Sequence, residues 1–284
     1  MKKIIVLIAF MIANFMIEAQ VKTPQPSPKC TVEQVVGLTN VDISYSRPSA
    51  KGRNVFGDLV PYGKLWRTGA NANTTINFSE DVMIMGKALK KGKYALFTTP
   101  KADVWEVIFY TDTDNWGTPD KFDDTKVALR VNVNPESLAR KVETFTINIA
   151  SLENDAAQLE LMWEKTLVAI KIEVPTKKTA LESIEKTLAG AQAGDYFSAG
   201  QYYNQSNTDL PKALEYLNKA ISMTKAGKDV PFWYLRQKSL IQAKLNDKKG
   251  AIETAKLSLA GAIKEDNQDY VKMNNDSIAE WNKK

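Results

Sequence analysis

The sequence predicts a multi-domain chain: an all-β antiparallel sandwich or jelly roll over residues 31–174, followed by an α-helical hairpin domain over residues 175–284. Three observations predict it. Apolar side chains recur at every second position in short runs as far as Val174, the mark of strands with one buried and one wet face. Beyond Val174 the spacing changes to three and four, as in amphipathic helices. Within that second half two segments align with each other, as stacked helical hairpins require.

Residues 1–19 read as a secretory leader. Lys2 and Lys3 open it, an apolar run from Ile4 to Ile17 is broken only by Asn14, and Ala19 closes a cleavage site. The run is shorter than the roughly 20 residues a spanning helix needs. The polar "QVKTPQPSPK" does not continue it, so residues 20–30 form a linker and no membrane span is expected. The protein is therefore expected in the periplasm or secreted. Cys30 is the single cysteine, which rules out an intramolecular disulfide. It reads as a small residue at the edge of the first strand, without the small-residue pattern that lipidation needs.

The formal charge is +5, and Lys2, Lys3 and Glu18 leave with the leader, so the remainder stays mildly basic. No dense Lys/Arg block occurs, which argues against nucleic acid as a partner. Histidine is absent, which removes Ser-His-Asp and Cys-His schemes and the commonest transition-metal ligand. Catalysis would have to rest on carboxylates, Lys, Tyr or a hard cation. Nothing in the pattern calls for a cofactor or a metal, and no residue stands out as catalytic.

In the β half, Val41, Ile43 and Tyr45 alternate with Asp42, Ser44 and Ser46. The pattern returns in Ile76 and Phe78, in Trp105, Val107 and Phe109, in Val127 to Val133, and in Phe145, Ile147 and Ile149. It closes with Leu159, Leu161 and Trp163, then Val168, Ile170, Ile172 and Val174. Gly86, Gly92, Pro100 and Gly117 punctuate the runs. One apolar face per strand favours antiparallel over parallel sheets. The last two runs are separated by Glu164-Lys165-Thr166 and read as a hairpin.

Between the first two runs lies "RPSAKGRNVFGDLVPYGKLWRTGANANT", residues 47–74, interrupted by glycine at 52, 57, 63 and 69. It is longer than an ordinary connection, and such loops are more often functional than not. Arg47, Arg53, Asp58, Tyr62, Trp66, Arg67 and Asn71 make it a candidate ligand surface, with planar guanidinium donors beside aromatic walls. Alternatively Val55, Phe56, Leu59, Val60, Leu65 and Trp66 plug the end of the sandwich, while Arg53 or Arg67 pairs with Asp58 and backbone carbonyls. The two are compatible, since a plug can also floor a pocket.

The stretch "DTDNWGTPDKFDD", residues 112–124, has the oxygen-rich look of a calcium loop, but Trp116 stands where a ligand oxygen belongs. It reads instead as a hairpin turn capped by Trp116, which joins the candidate ligand-binding set. Asp112, Asp114, Asp123 and Asp124 offer the paired carboxylates of a glycoside hydrolase, although turns carry Asp for local hydrogen-bonding reasons.

In the helical half, Leu181, Ile184 and Leu188 share one face of a helix that Gly190 stops. "YFSAGQYYNQSNTDLPKALEYLNKAISM" and "WYLRQKSLIQAKLNDKKGAIETAKLSLA" then align, Gly200 with Ser239, Ala213 with Ala251, Leu217 with Ala255 and Ala220 with Ser258. Asp209 and Pro211 start the second helix of the first hairpin as cap and first turn. A closing helix over roughly residues 266–282 caps the stack. These segments resemble a degenerate tetratricopeptide repeat pair, with a period a little longer than ~34 residues. That resemblance implies a peptide- or protein-binding face carrying Phe197, Gln201, Asn204, Trp233 and Arg236. The plain alternative is a helical support.

"YSRPSAKGRNVFGDLVPYGKLWRTGANANT", "GKYALFTTP", "DNWGTPDKFD" and "LELMWEKTLVAIKIEV" are together similar to the secreted bacterial proteins grouped as domain-of-unknown-function family 2911. The resemblance covers residues 31–174 and implies an extracytoplasmic setting but no established activity. The expectation is a non-catalytic, extracytoplasmic two-domain binding protein, with a small-molecule or glycan site on the β domain and a protein partner for the helical tail. A carboxylate-dependent hydrolase of glycans or esters, and a purely structural envelope protein, are the alternatives.

Overall fold

The structure, a computed structural model, describes residues 23–188, 190–224 and 229–283. The leader read at residues 1–19 lies outside the described residues. The chain divides into two compact units, one ending at Val174 and the other beginning at Pro175.

The first unit holds strands β1 (Lys29–Val36), β2 (Thr39–Ser46), β3 (Thr74–Phe78), β4 (Val82–Ile84), β5 (Lys87–Leu89), β6 (Gly92–Thr99), β7 (Trp105–Tyr110), β8 (Val127–Val133), β9 (Glu136–Ala150) and β10 (Ala156–Glu173). They form two antiparallel sheets, one ordered β1-β2-β3-β6-β7-β8 and the other β5-β4-β10-β9. The alternation in the sequence sets which face turns inward. On β2, Val41, Ile43 and Tyr45 are buried, and Asp42, Ser44 and Ser46 are half-exposed. The apolar faces meet in one core that includes Trp66, Trp105, Phe145 and Trp163, with Cys30 and Phe56 packed against it. Trp66 stacks on Trp163 at 6.0 Å between ring centres, and Phe145 meets Trp66 at 5.1 Å.

The hairpin expected at Glu164-Lys165-Thr166 is not there. A single strand, β10, runs through these residues and stays paired with β9 on both sides. The register shifts on either side of Glu164, whose φ is +51°. From Trp163 to Val168 is an odd number of steps, so the inward phase flips. A β-bulge flips the phase without turning the chain, and the sequence pattern alone does not distinguish it from a turn.

Strand β6 shows no alternation for a different reason. Tyr94 and Leu96 belong to the inter-sheet core, while Ala95 and Phe97 join Ile108 and Tyr110 in a separate cluster, with Leu65, Phe122 and Val127 packed on it. The outer face of β6 and β7 is thus covered by Phe122 of the connection that follows β7, by Leu65 of the long loop and by Val127 of β8. The outer face of β1 to β3 remains polar.

The second unit holds α1 (Thr176–Leu188), α2 (Ala193–Gln205), α3 (Leu210–Ser222), α4 (Phe232–Lys244), α5 (Lys248–Lys264) and α6 (Gln268–Trp281). The Asp209 side chain accepts from Lys212 N at 3.0 Å, with Pro211 in the first turn, so α3 starts where its cap sits. Leu181, Ile184 and Leu188 pack on the cluster formed by α2, α3 and α4. The residues aligned between the two hairpins are all buried, from Gly200, Ala213, Leu217 and Ala220 to Ser239, Ala251, Ala255 and Ser258. Gly200 allows the closest approach: a Cβ there would stand 1.9 Å from Leu217 Cδ2 and 3.1 Å from Ala213 O.

Candidate functional site

The open half of the outer face forms a groove of about 700 Å³. Its floor follows from the register of four strands, β1, β2, β3 and β6. Thr31 pairs with Ser44 and Ser44 with Thr75, a cross-strand row of hydroxyls. A second row runs from Asp42 through Asn77 to Lys93, with Asn77 Nδ2 donating to Asp42 Oδ2 at 3.0 Å. Lys29 and Ser46 pair at one end of the floor. These are the outward members of the alternating runs, and most carry short side chains with fixed donors and acceptors.

Two loops raise the walls. Asn71, with φ +59°, donates from Nδ2 to Ser27 O at 3.2 Å and to Ser46 Oγ at 3.4 Å. Buried Asn73 receives the Asn115 amide on its Oδ1 at 2.9 Å and donates its own amide to Asn115 O at 3.0 Å. Asn115 Nδ2 in turn donates to Asp112 O at 2.9 Å. The loop before β3 is thereby laced to the loop after β7. On the second wall Thr113, Asp114 and Trp116 line the groove, and Trp116 is 83% exposed. Asp112 lies below the usual carboxylate range because Lys126 Nζ bonds its side chain at 2.8 Å, with the Asp114 amide adding to the effect. Asp123 is lowered by the hydroxyl and amide of Thr125.

The residues singled out in the long loop do not converge on one cavity. Asn71 and Trp116 line the groove. Tyr62 lines a separate cavity beside Phe56. Trp66 lies in the core, its indole N–H donating to Gly69 O at 3.1 Å. Arg47 is turned toward β9, with Nε on Phe145 O at 3.1 Å and Nη2 on Thr146 Oγ1 at 2.8 Å. Arg53 caps its own turn, bonding Ala50 O at 2.9 Å and Ser49 O at 2.8 Å. Asp58 is exposed and makes no ion pair among the described residues. Arg67 is half-buried, and its Nε has no hydrogen-bond partner. Its Nη1 lies 3.5 Å from where a Cβ on Gly117 would stand, so it packs behind the Trp116 loop. Of the plug residues, Val55 and Val60 are buried, whereas Leu59 is exposed and Leu65 joins the outer cluster.

Thr68, next to Arg67, holds φ +54° although it is β-branched. Its hydroxyl lies 3.1 Å from that of Thr98, and its carbonyl accepts from Thr74 Oγ1 at 2.6 Å. Such strain persists only where surrounding bonds over-determine it, and it fixes the chain entering the groove wall.

On the helical unit, Phe197 stacks on Tyr234 at 4.3 Å with an 8° interplanar angle. Asn204 Nδ2 donates to Gln237 Oε1 at 3.2 Å, so both residues tie α2 to α4. Arg236 donates to Ser277 Oγ at 3.0 Å, tying α4 to α6, and burial lowers its pKa from the ordinary value. Gln201 is half-buried and Trp233 is 37% exposed.

The polar groove floor is what sequence reasoning missed. Its signal was present in the outward positions of β2 and β3, which read Asp, Ser, Ser, Thr, Asn where an ordinary solvated face favours long charged side chains.

The family model described as "Protein of unknown function (DUF2911)" matches residues 27–172, more than half of the chain and all of the groove floor. No curated protein and no solved structure matches the chain. Among the described residues, no helix is long and apolar enough to cross a membrane, and no three or more Cys, Asp or Glu residues are grouped to hold a metal ion.

Proposed function

The chain belongs to the DUF2911 family, and from that premise we propose that its β unit is a non-catalytic carbohydrate-binding module of an exported protein. The observation that carries this is Trp116, 83% exposed beside a floor of hydroxyls and amides. A large indole left in water gains from a partner that covers it. Sites for small ligands combine such an apolar wall with a few fixed polar groups. A pyranose ring fits both demands, because one face presents C–H groups to the indole while its hydroxyls meet Ser44, Thr75, Asn77 and Asn71. Three of the floor's strands, at a spacing of ~4.8 Å, already span about 10 Å, which suits an oligosaccharide better than a single small solute.

Two carboxylates of the adjoining loop are poorly suited to act as a glycosidic general acid. A glycosidic general acid needs its pKa raised. Asp112 is held in the opposite direction by Lys126, and Asp123 by Thr125. The leader at residues 1–19 supports export to the periplasm or beyond. For the helical unit we propose a protein-contact role, motivated by Trp233 on α4 beside the polar ties between helices.

The test is retention of the protein on immobilised or soluble neutral oligosaccharides, followed by calorimetry. Trp116→Ala is expected to weaken binding at least tenfold, about 1.4 kcal/mol. Its Tm should stay unchanged, since exposed substitutions fall within about 0.5 kcal/mol. Equal affinity of the variant and the natural protein, or no affinity for any oligosaccharide, defeats the proposal.

A further inference from the structure

The long loop builds a second cavity, of about 310 Å³, distinct from the groove. That is the lower end of the ~300–1,000 Å³ span of small-molecule sites. Gly57, with φ +96°, makes the wall possible. Its amide bonds Val60 O at 2.9 Å to close a turn, and a Cβ on it would stand 2.9 Å from Tyr62 Cε2. The Tyr62 ring therefore lies against the bare backbone of Gly57 and stays 46% exposed at the cavity. Phe56 also lines the cavity and meets Trp105, another lining residue, edge-on at 4.8 Å, which makes the floor aromatic.

Polar groups surround this aromatic surface. Lys101 comes from the β6–β7 turn, and Lys165 and Thr166 come from the bulge in β10. Bulges beside binding sites commonly re-aim side chains in this way. Glu136 and Ser137 come from the start of β9. Neither lysine has an ion-pair partner among the described residues, and Glu136 has none either.

We propose that this cavity is a second ligand site, for a sugar acid of the hexuronate class. One ring face lies on Tyr62, the carboxylate sits between the ammonium groups of Lys101 and Lys165, and the hydroxyls bond Glu136, Ser137 and Thr166. Two cations against one anion favour a monoanion. A neutral sugar leaves both lysines without a counter-charge. An aromatic acid sets C–H edges against Glu136 and two hydroxyls, and desolvating those unpaired groups is costly. This site goes beyond the groove proposal and does not rest on it.

The test is calorimetric titration of the full-length protein with glucuronate, glucose and benzoate at low and high NaCl. Glucuronate is expected to bind saturably, at least tenfold tighter than the other two, and more weakly at high salt. The double variant Lys101→Gln/Lys165→Gln and the variant Tyr62→Ala should each lose at least tenfold. Gly57→Ala, which displaces the Tyr62 ring, should also lose affinity, and Trp116→Ala should lose none. Lys101, Lys165, Tyr62 and Trp116 are solvent-facing, so their variants should keep the natural Tm, whereas Gly57→Ala strains the backbone at φ +96° and should lower Tm while still unfolding cooperatively. Absence of saturable glucuronate binding overturns the proposal, as does undiminished binding by the lysine double variant. Tighter binding of benzoate overturns the ligand class. A loss confined to Trp116→Ala moves the acid into the groove and also overturns the proposal.

Discussion

The outer face of the six-stranded sheet is treated in two ways along its width. Over β6 and β7 it carries Ala95, Phe97, Ile108 and Tyr110 under Phe122, Leu65 and Val127. Over β1 to β3 it carries Thr31, Ser44, Thr75, Asp42 and Asn77 with no cover. Both halves belong to one sheet with the same pleat, so the backbone does not make the difference. The chain uses the connection after β7 at both ends: Phe122 packs at a tilt on Tyr110, 4.9 Å between ring centres, over the covered half, and Trp116 is exposed at the margin of the open half. A single loop thus seals apolar surface with one aromatic residue and offers another to solvent.

If that contrast is correct, substitutions in the two halves should part company. The largest effect is expected from Phe97→Ala, which empties a fully buried position and should cost about 3–5 kcal/mol in equilibrium urea unfolding. Ser44→Ala in the open half should stay within about 0.5 kcal/mol. Similar costs for the two would erase the distinction. Next comes the affinity loss of Trp116→Ala, with stability untouched. Asn73→Ala sits between the halves, because it removes the acceptor that holds the Asn115 amide. It should cost about 1 kcal/mol and speed amide exchange across residues 112–117, measured by hydrogen–deuterium exchange.

The smallest effect concerns pH. The folded pKa of Asp112 is depressed, so its pairing with Lys126 stabilises the protein above the unfolded value of ~3.9 and is lost as pH falls through the lower folded value. Lys126→Met should raise the Asp112 midpoint toward the ordinary value in a carbon-detected NMR titration. The pair is exposed to solvent, so little change in stability is expected.

The same contrast explains what was legible in the sequence. Alternation identified β2, β3, β8 and β9 because each has one wet face, and β7 from Trp105, Val107 and Phe109 although Ile108 and Tyr110 bury its other face too. It failed on β6, where Tyr94 to Phe97 are buried on both sides, and at Glu164, where a bulge shifted the phase. Asn71 and Trp116 were singled out in the sequence as a loop amide and a turn indole, and both line the groove. The hydroxyls of Ser44 and Thr75 were not, since facing one another across strands is a property of register, which local pattern does not contain. Arg47 misleads for a related reason. It is spent on Phe145 O, an acceptor visible only once the loop has been folded back on the sheet, whereas Arg53 bonds the nearby Ala50 O and Ser49 O, the local backbone pairing weighed as the alternative in the sequence.

The reciprocal amide exchange between Asn73 and Asn115 has a last consequence. It joins the loop before β3 and the loop after β7 into one frame, so a guest of the kind proposed above would meet walls already ordered, with little ordering entropy left to lose on docking.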